Sequence, residues 1–495
     1  MILVSLCAVA AMASVSCQKS EINSVATGSR VKAVINAVSG HTTKLTIDGL
    51  QTSWAVGDSI CVFDYLGKFE GIYLAESAGT SAKFTGTKGE GDILKYAVSP
   101  ANSNATCVEG VIRTTIPSEQ DGTITNAISV AIEDDGIFAF ENAASVLKIT
   151  IPMEMDDINF ICFTSDSLIA GDVDIIDNVA VPSASEDAVK YKRVSIYKDG
   201  APLSGSYYLT VIPGNYPGVV TLGRKDGTVR SAVAIKVAAK DYSINKIHNF
   251  GEVKSTTTWV ANALPGVYSL DAEGTKALFA QGDIRYNVEN KTWRIADTFV
   301  NLTTNPKGAY EGEIDLFMWN DATEPGLYKT NFGNINASWT NEGDWTKKLP
   351  VTGWSVLSIN KIRYLFATRV GCEKQVFGFA YIGTPDVNRK YIIFYPDGWA
   401  GPVLNGTACD TAVTAEDLQK LEDQGCAVCG MCHTMKKDFS WQEANEQRIF
   451  WSNELKSKGS GLLYRFLFSK GALVAEPKNL ETTYGYAFRP MYEIK

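Results

Sequence analysis

GVVTLGRKDGTVRSAVAIKV, residues 218–237, is two apolar runs broken by Asp226-Gly227. An Asp-Gly pair supplies the positive φ angles of a tight hairpin turn, so the stretch predicts two antiparallel strands. The same texture extends on both sides. From residue 31 to about 253, short runs rich in Val, Ile, Thr, Phe and Tyr recur between Gly, Asp, Asn and Pro. KLTI, SICVFDY, LKYAVSP, AISVAI, GIFAF, SVLKITIP, NFICFTS and YYLTVIP are among them. No long helical period intervenes. This spacing predicts an all-β sandwich or barrel, and about 220 residues of such strands suit two small units better than one.

At KSTTTWVANALPG, residues 254–266, the texture changes. Nine of the ten tryptophans lie from residue 259 onward, a density that suits either a binding surface or a compact core. DIRYNVENKTWRIAD reads as a hairpin turning near Glu289-Asn290. SINKIRYLFATR places Ile359, Ile362, Leu365 and Phe366 on one helical face, with Ser358 as N-cap. TAEDLQKLEDQG predicts a short amphipathic helix capped by Thr414 and ended by Gly425. The second half is therefore expected to be α+β.

Composition narrows the function. The chain is 45% hydrophobic and 20% charged, ordinary for a globular protein, and its formal net charge is −9. That charge argues against nucleic acid as a partner, because phosphate neutralisation needs a basic face. MILVSLCAVAAMASVSC is too short to span a bilayer and ends in small residues, so it reads as an export signal. Its end, Ser14-Val15-Ser16-Cys17, resembles a bacterial lipobox, with Ser14 where Leu is commoner. The resemblance implies removal of residues 1–16, a lipid on Cys17 and attachment to a membrane through buried methylenes. The alternative is a plain secretory signal cut near Ser16. Residues 17–30 then form a polar tether.

SWAVGDSICVFD at 53–64 resembles the W-x-x-G-D-x-I-x-V-F segment of Bacteroidetes fimbrillin-like (Mfa-like) proteins. KYAVSP at 95–100, FAFENAASVLKITIP at 138–152, YYLTVIPG and IHNFGEV are similar to later strands of that family, in the same order. The resemblance implies two transthyretin-like β-sandwiches, 31–135 and 136–253, lipid-dependent export, and a place in pili or on the cell surface. GDIRYNVENKTWRIAD, IDLFMWN, YLFATR, YIIFYPDGW, IFWSNE and YGYAFRPMYE resemble, again in order, the landmarks of the Fibrobacter-type major paralogous domain. That implies a C-type-lectin-like α+β domain over 275–495, after a linker at 254–274. It also implies no enzymatic activity, and a structural Arg489. WND at 319–321 and EPG at 324–326 read as solvated loop residues, and no calcium site is assigned.

GCAVCGMCHT, residues 425–434, holds the sharpest chemical motif. Cys429, Cys432 and His433 spell C-x-x-C-H, the haem-attachment pattern, and Cys426 extends it toward an iron–sulfur run. In the resembled family a strand follows the helix that ends at Gly425. In a strand, Cys426 and Cys429 point to opposite faces and cannot share one metal. Haem would also need a second axial ligand beyond His433, such as Met435 or water. Iron–sulfur ligation would need Cys372 or Cys409. In an exported domain, Cys372, Cys409, Cys426, Cys429 and Cys432 allow two disulfides with one cysteine left over. Disulfides or buried thiols are expected and no cofactor is assigned; zinc, iron–sulfur and haem stand as alternatives. Cys61 and Cys162 sit in apolar runs as buried small side chains, and His248 reads as structural.

The expected function is a surface lipoprotein of the bacterial outer membrane: a fimbrial tip subunit or adhesin with a lectin-like binding head. Its expected partners are other pilins or surface proteins, joined by strand addition, and a glycan or a host or matrix protein. The pilin resemblance implies maturation after Arg, which points to Arg30 in GSRVKAV. A tip position follows because the second sandwich runs into a globular domain, which obstructs further addition. The alternatives are a non-polymerised surface receptor for glycan or another ligand, and a redox protein using residues 426–433. No enzyme is expected, since no nucleophile motif, supported carboxylate pair or nucleotide loop is present.

Overall fold

The computed structural model describes residues 29–39, 53–124, 127–155, 157–200, 202–254, 257–287, 289–300, 313–315, 317, 345–369, 375–383, 389–431, 434–435, 441–442, 447–457, 460–469, 472–481 and 486–495. It is mostly β, with 56% of residues in strands and 6% in helices, as the strand-rich texture predicts.

The N-terminal unit is a closed barrel. Its strands are β1 (Arg30–Ser39), β2 (Ser59–Asp64), β3 (Phe69–Ala75), β4 (Ser81–Gly89), β5 (Leu94–Ser99), β8 (Ser129–Asp134) and β9 (Ile137–Asn142). They run in the order β1-β4-β3-β2-β5-β8-β9, and parallel pairing of β1 with β9 closes the ring. Alternation sends Ile60, Val62, Tyr73 and Phe84 inward. Trp54 is buried there, edge-on to Phe84 at 4.8 Å and Phe140 at 5.2 Å.

Two strands leave the barrel before it is complete. β6 (Thr106–Val108) and β7 (Val111–Ile116) join β12 (Ala170–Ile176) and β13 (Val179–Pro182), with β14 (Lys190–Tyr191) pairing onto β12. This sheet packs with two others into the second unit. One is β16 (Gly205–Val211), β10 (Ser145–Ile151) and β19 (Ile247–Glu252). The other is β15 (Arg193–Tyr197), β11 (Ile158–Thr164), β17 (Gly214–Asp226), β18 (Val229–Tyr242) and β20 (Val260–Ala261). The chain thus crosses the 135/136 division expected from the sequence: β6 and β7 lie with the second unit, and β9 with the first. Cys61, Phe63, Val98 and Val130 of the barrel share one apolar core with Ile112, Ile161 and Leu209. The hairpin read from Asp226-Gly227 is β17–β18, with Gly227 at φ +59°.

Residues 254–274, expected as a linker, carry β20 and then β21 (Ala263–Ser269), all seven residues of which are buried. The cause is continuity of the sheet. Ala261 pairs with Ser231 of β18, and Pro265 packs where a side chain on Gly223 would stand. Val219 and Ala232 consequently belong to the same core as Val267, Leu278, Trp345 and Trp451.

The C-terminal head follows. Its sheets are β21, β22 (Lys276–Ala280), β35 (Met491–Glu493) and β26 (Trp354–Ser355); β24 (Thr292–Ile295), β23 (Ile284–Asn287) and β25 (Glu313–Ile314); and β27 (Phe377–Ile382), β28 (Arg389–Phe394) and β29 (Ala427–Gly430). A two-stranded pair, β30 (Thr434–Met435) with β31 (Trp441–Gln442), and a long meander, β32 (Gln447–Ser457), β33 (Ser460–Ser469) and β34 (Ala472–Glu481), complete it. Ser358 caps the helix Ile359–Arg363, and Thr414 with Asp417 forms a capping box on the helix Ala415–Asp423. Trp345, Trp354, Trp399 and Trp451 are buried, so these four tryptophans build core rather than a binding platform. Among the described residues no helix is long and apolar enough to cross a membrane.

Candidate functional site

The helix Ala415–Asp423 delivers the cysteine segment into the core. Cys426 packs with Leu418, Val428, Tyr395 and Trp399. Cys429, on β29 opposite Ile392, packs in a different cluster with Phe379, Phe394 and Phe466. The two thiols therefore face opposite sides of one strand, and one metal cannot reach both. Burial pushes the Cys429 thiol up, against the pull of Arg489 and Arg448. Cys409 is half-buried, its thiol donates to the Ala380 carbonyl at 3.1 Å, and burial pushes it up to about 11. Cys409, Cys426 and Cys429 are thiols here. Cys17, Cys372, Cys432, His433 and the WND and EPG segments lie outside the described residues.

The same helix end anchors a chain of charges that sequence reading missed. Arg230 of β18 bonds Asp423 Oδ1 through Nε at 2.7 Å and lies 3.0 Å from Glu422 Oε2. Lys225 adds a contact to Asp423 at 3.3 Å. Beyond Glu422, Arg489 follows at 3.7 Å, donates to the Val428 carbonyl, and stands 3.9 Å from Asp283. Arg448 closes the series with a bidentate pair to Asp283 at 2.8 and 2.5 Å. Lys225, Arg230, Arg489 and Arg448 thus alternate with Asp423, Glu422 and Asp283 across the junction of sandwich and head. All but Lys225 are buried. Burial alone would raise the Asp283 carboxyl, but the Arg448 fork holds it below its ordinary value.

Glu422 behaves oppositely. It is fully buried, and neither carboxylate oxygen has an aligned hydrogen bond. Burial therefore outweighs the attraction of Arg230 and Arg489 and pushes its pKa from 4.5 up to about 7. A carboxyl raised on folding keeps its proton where the unfolded chain has lost it. Its contribution is full below pH 4.5, falls as pH rises toward about 7, and is flat above. Glu422→Gln is expected to remove that slope, worth on the order of 3 kcal/mol at most. Thermal midpoints of both proteins across this range check it; parallel pH profiles would refute it.

Lys276 makes a second bridge between head and sandwich. Its ammonium lies 2.8 Å from Asp166, 3.1 Å from Ser269 Oγ and 3.6 Å from Asp397. Ser269 donates to Asp397 at 2.6 Å. Arg193 stacks on Trp399, 5.4 Å from the ring centre, and donates to the Gln424 carbonyl at 2.8 Å.

Arg30, the expected maturation residue, begins β1 opposite Gly89. Its guanidinium donates to the carbonyls of Thr87, at 2.7 Å, and of Glu70. The nearby carboxylates of Asp64, Glu70 and Asp92 could hold a cation, but Lys68 already sits 2.7 Å from both Glu70 and Asp92. A cut after Arg30 leaves β1 paired to β4 from Val31 to Val38 and to β9 from Asn36 to Ser39. Such a cut removes no strand from the described barrel.

No family model matches the chain, and no curated protein matches it in sequence. Among solved structures, it is similar to a candidate cell adhesion protein from Bacteroides ovatus ATCC 8483, at 17% identity and TM-score 0.29. That match covers 47% of this chain and 96% of the other. A candidate cell adhesion protein from Bacteroides thetaiotaomicron VPI-5482 matches at 13% identity and TM-score 0.24, over 41% of this chain and 82% of the other.

Proposed function

We propose that the chain is a cell-surface binding protein of the adhesin type, in which a lipid-anchored barrel and β-sandwich carry a C-terminal head. The observation that carries this reading is the fused junction. A shared apolar core and a buried charge chain bind the head to the sandwich, as a head that bears load or presents a fixed face requires. The N-terminal apolar segment ending at Cys17 supplies the anchor.

Two forms of this function differ in assembly. A fimbrial tip subunit would accept a donated strand after proteolysis at Arg30, whereas a surface receptor would stay single. The closed barrel, with β4 along one edge of β1 and β9 on the other from Asn36 to Ser39, favours the single receptor. Its ligand class is a glycan or a matrix protein, and the chain is no enzyme on this reading.

Glycan and matrix-protein arrays probed with the lipid-free chain, beside a variant lacking residues 262–495 that keeps β20 on the sandwich sheet, test the binding role. Binding that needs the head is expected. Silence on both arrays, or equal signal without the head, would sink the proposal. Immunogold labelling separates the forms: label over the cell body is expected, and label at fibre ends would establish the tip subunit instead.

A further inference from the structure

The barrel end that carries Arg30 also presents large apolar side chains in the open. Tyr65 is 57% exposed, Leu66 71% and Ile93 62%. Tyr65 and Leu66 form the turn between β2 and β3, and Ile93 leads into β5. The two turns are tied together, since the Tyr65 N–H donates to the Ile93 carbonyl at 3.0 Å. Turns at barrel ends ordinarily use Gly, Asn, Asp or Ser. Scattered exposed apolar residues need no explanation, but three joined at one tip mark a surface that something covers.

The tether reaches the barrel at this same tip. The Ser29 hydroxyl bonds the Glu90 carboxylate, and the Ser29 carbonyl accepts from the Glu90 N–H at 3.0 Å. Residues 18–28 separate this point from Cys17, a reach of at most about 40 Å when fully extended. The lipid would therefore hold this end of the barrel beside the bilayer. The surrounding charges are paired: Lys68 with Glu70 and Asp92 at 2.7 Å, and Lys95 with Glu133 at 3.5 Å. Glu90 and Asp134 add further negative charge nearby. Attraction to anionic headgroups is therefore not what this end offers; its apolar tip is.

We propose that Tyr65, Leu66 and Ile93 form a membrane seat that inserts at the headgroup–acyl boundary and stands the barrel on the bilayer. The seat rests on the anchored reading above and deepens it. A tether alone lets the protein swing, whereas a tether plus an apolar tip fixes which end faces the lipid.

The test uses a chain beginning at Gln18, which keeps every described residue, and vesicles of phosphatidylcholine. Cosedimentation is expected, unchanged when salt rises from about 0.1 to about 0.5 M, because the contact is apolar. Leu66→Ser with Ile93→Ser should lower partitioning about tenfold and leave the thermal midpoint unchanged, since both side chains are exposed. No partitioning, or equal partitioning of both proteins, overturns the seat. So does binding confined to anionic vesicles and lost in salt, or a concentration-dependent dimer that the double variant abolishes. Fractionation of cells carrying the full chain with Cys17→Ala tests the anchor separately, so failure of one leaves the other standing.

Discussion

Replacing Arg230 by Ala is expected to split thermal unfolding into two transitions, the earlier one belonging to the head. Arg230 is 4% exposed and is the only described residue of the sandwich that touches both Glu422 and Asp423. Without it, Asp423 keeps Lys225 at 3.3 Å, while Glu422 keeps only the more distant Arg489 at 3.7 Å. Breaking a buried pair by removing one partner typically costs about 3–5 kcal/mol, far more than an exposed pair. The loss falls on the junction, so calorimetry should show the head melting first, and limited proteolysis should cut between sandwich and head. Arg230→Lys keeps the charge but loses the forked contact and should fall between the two. A single, unshifted transition for the alanine variant would show that the shared apolar core holds the junction by itself.

Gly266→Val is expected to prevent the head from closing. β21 passes so near the end of the helix Ala415–Asp423 that a Cβ on Gly266 would lie 2.0 Å from the Gly425 carbonyl oxygen. Gly425 is constrained in turn: its φ is +95°, and a Cβ there would meet Gly266 backbone at 2.5 Å. Both obstacles are main chain, so no rotamer relieves them. The contact is locked by Tyr268, whose hydroxyl lies 2.9 Å from the Phe394 and Gly425 carbonyls and accepts from the Ala427 N–H at 2.9 Å. Overpacking in a core costs about 1–3 kcal/mol even where side chains can shift. Here the loss should exceed that range, with low soluble yield and head transitions absent from calorimetry. A midpoint within about 2 °C of the parent would mean that β21 can move off the helix end.

What could be read from the sequence was local. Asp226-Gly227 marked its hairpin because a tight turn needs a residue that takes a positive φ, as Gly227 does after Asp226 ends its strand. Thr414 marked its helix because the cap lies three residues from its partner Asp417. Cys61 and Cys162 announced their burial through apolar neighbours. The junction carried no such sign. Arg230 stands in TVRSAV and Glu422-Asp423 in KLEDQG, where charges ordinarily face water; only pairing across more than 190 residues makes them interior. The departure of β6 and β7 from the barrel was hidden for the same reason. Alternation identifies a strand and its inward face, but not which sheet it joins. The tryptophans were ambiguous because indole suits a core and a binding surface equally.

The closing of the barrel by its first strand has a consequence for how the protein must be made. Asn36 waits for Ile137, about 100 residues later, and Ile112 of β7 waits for Ile175 of β12. Pairings so distant in sequence form slowly, because the loop they close must be ordered before any contact rewards it. A chain made N-terminus first therefore begins with β1 unpaired. β4 covers one of its edges first, while the other stays open until Asn142 is out, and during that interval it is open to capture by a neighbour's strands or by chaperones. Once β9 docks, that window shuts. In the folded barrel β4 lies along one edge of β1 and β9 along the other from Asn36 to Ser39, so a foreign strand could take the place of β9 only before β9 docks.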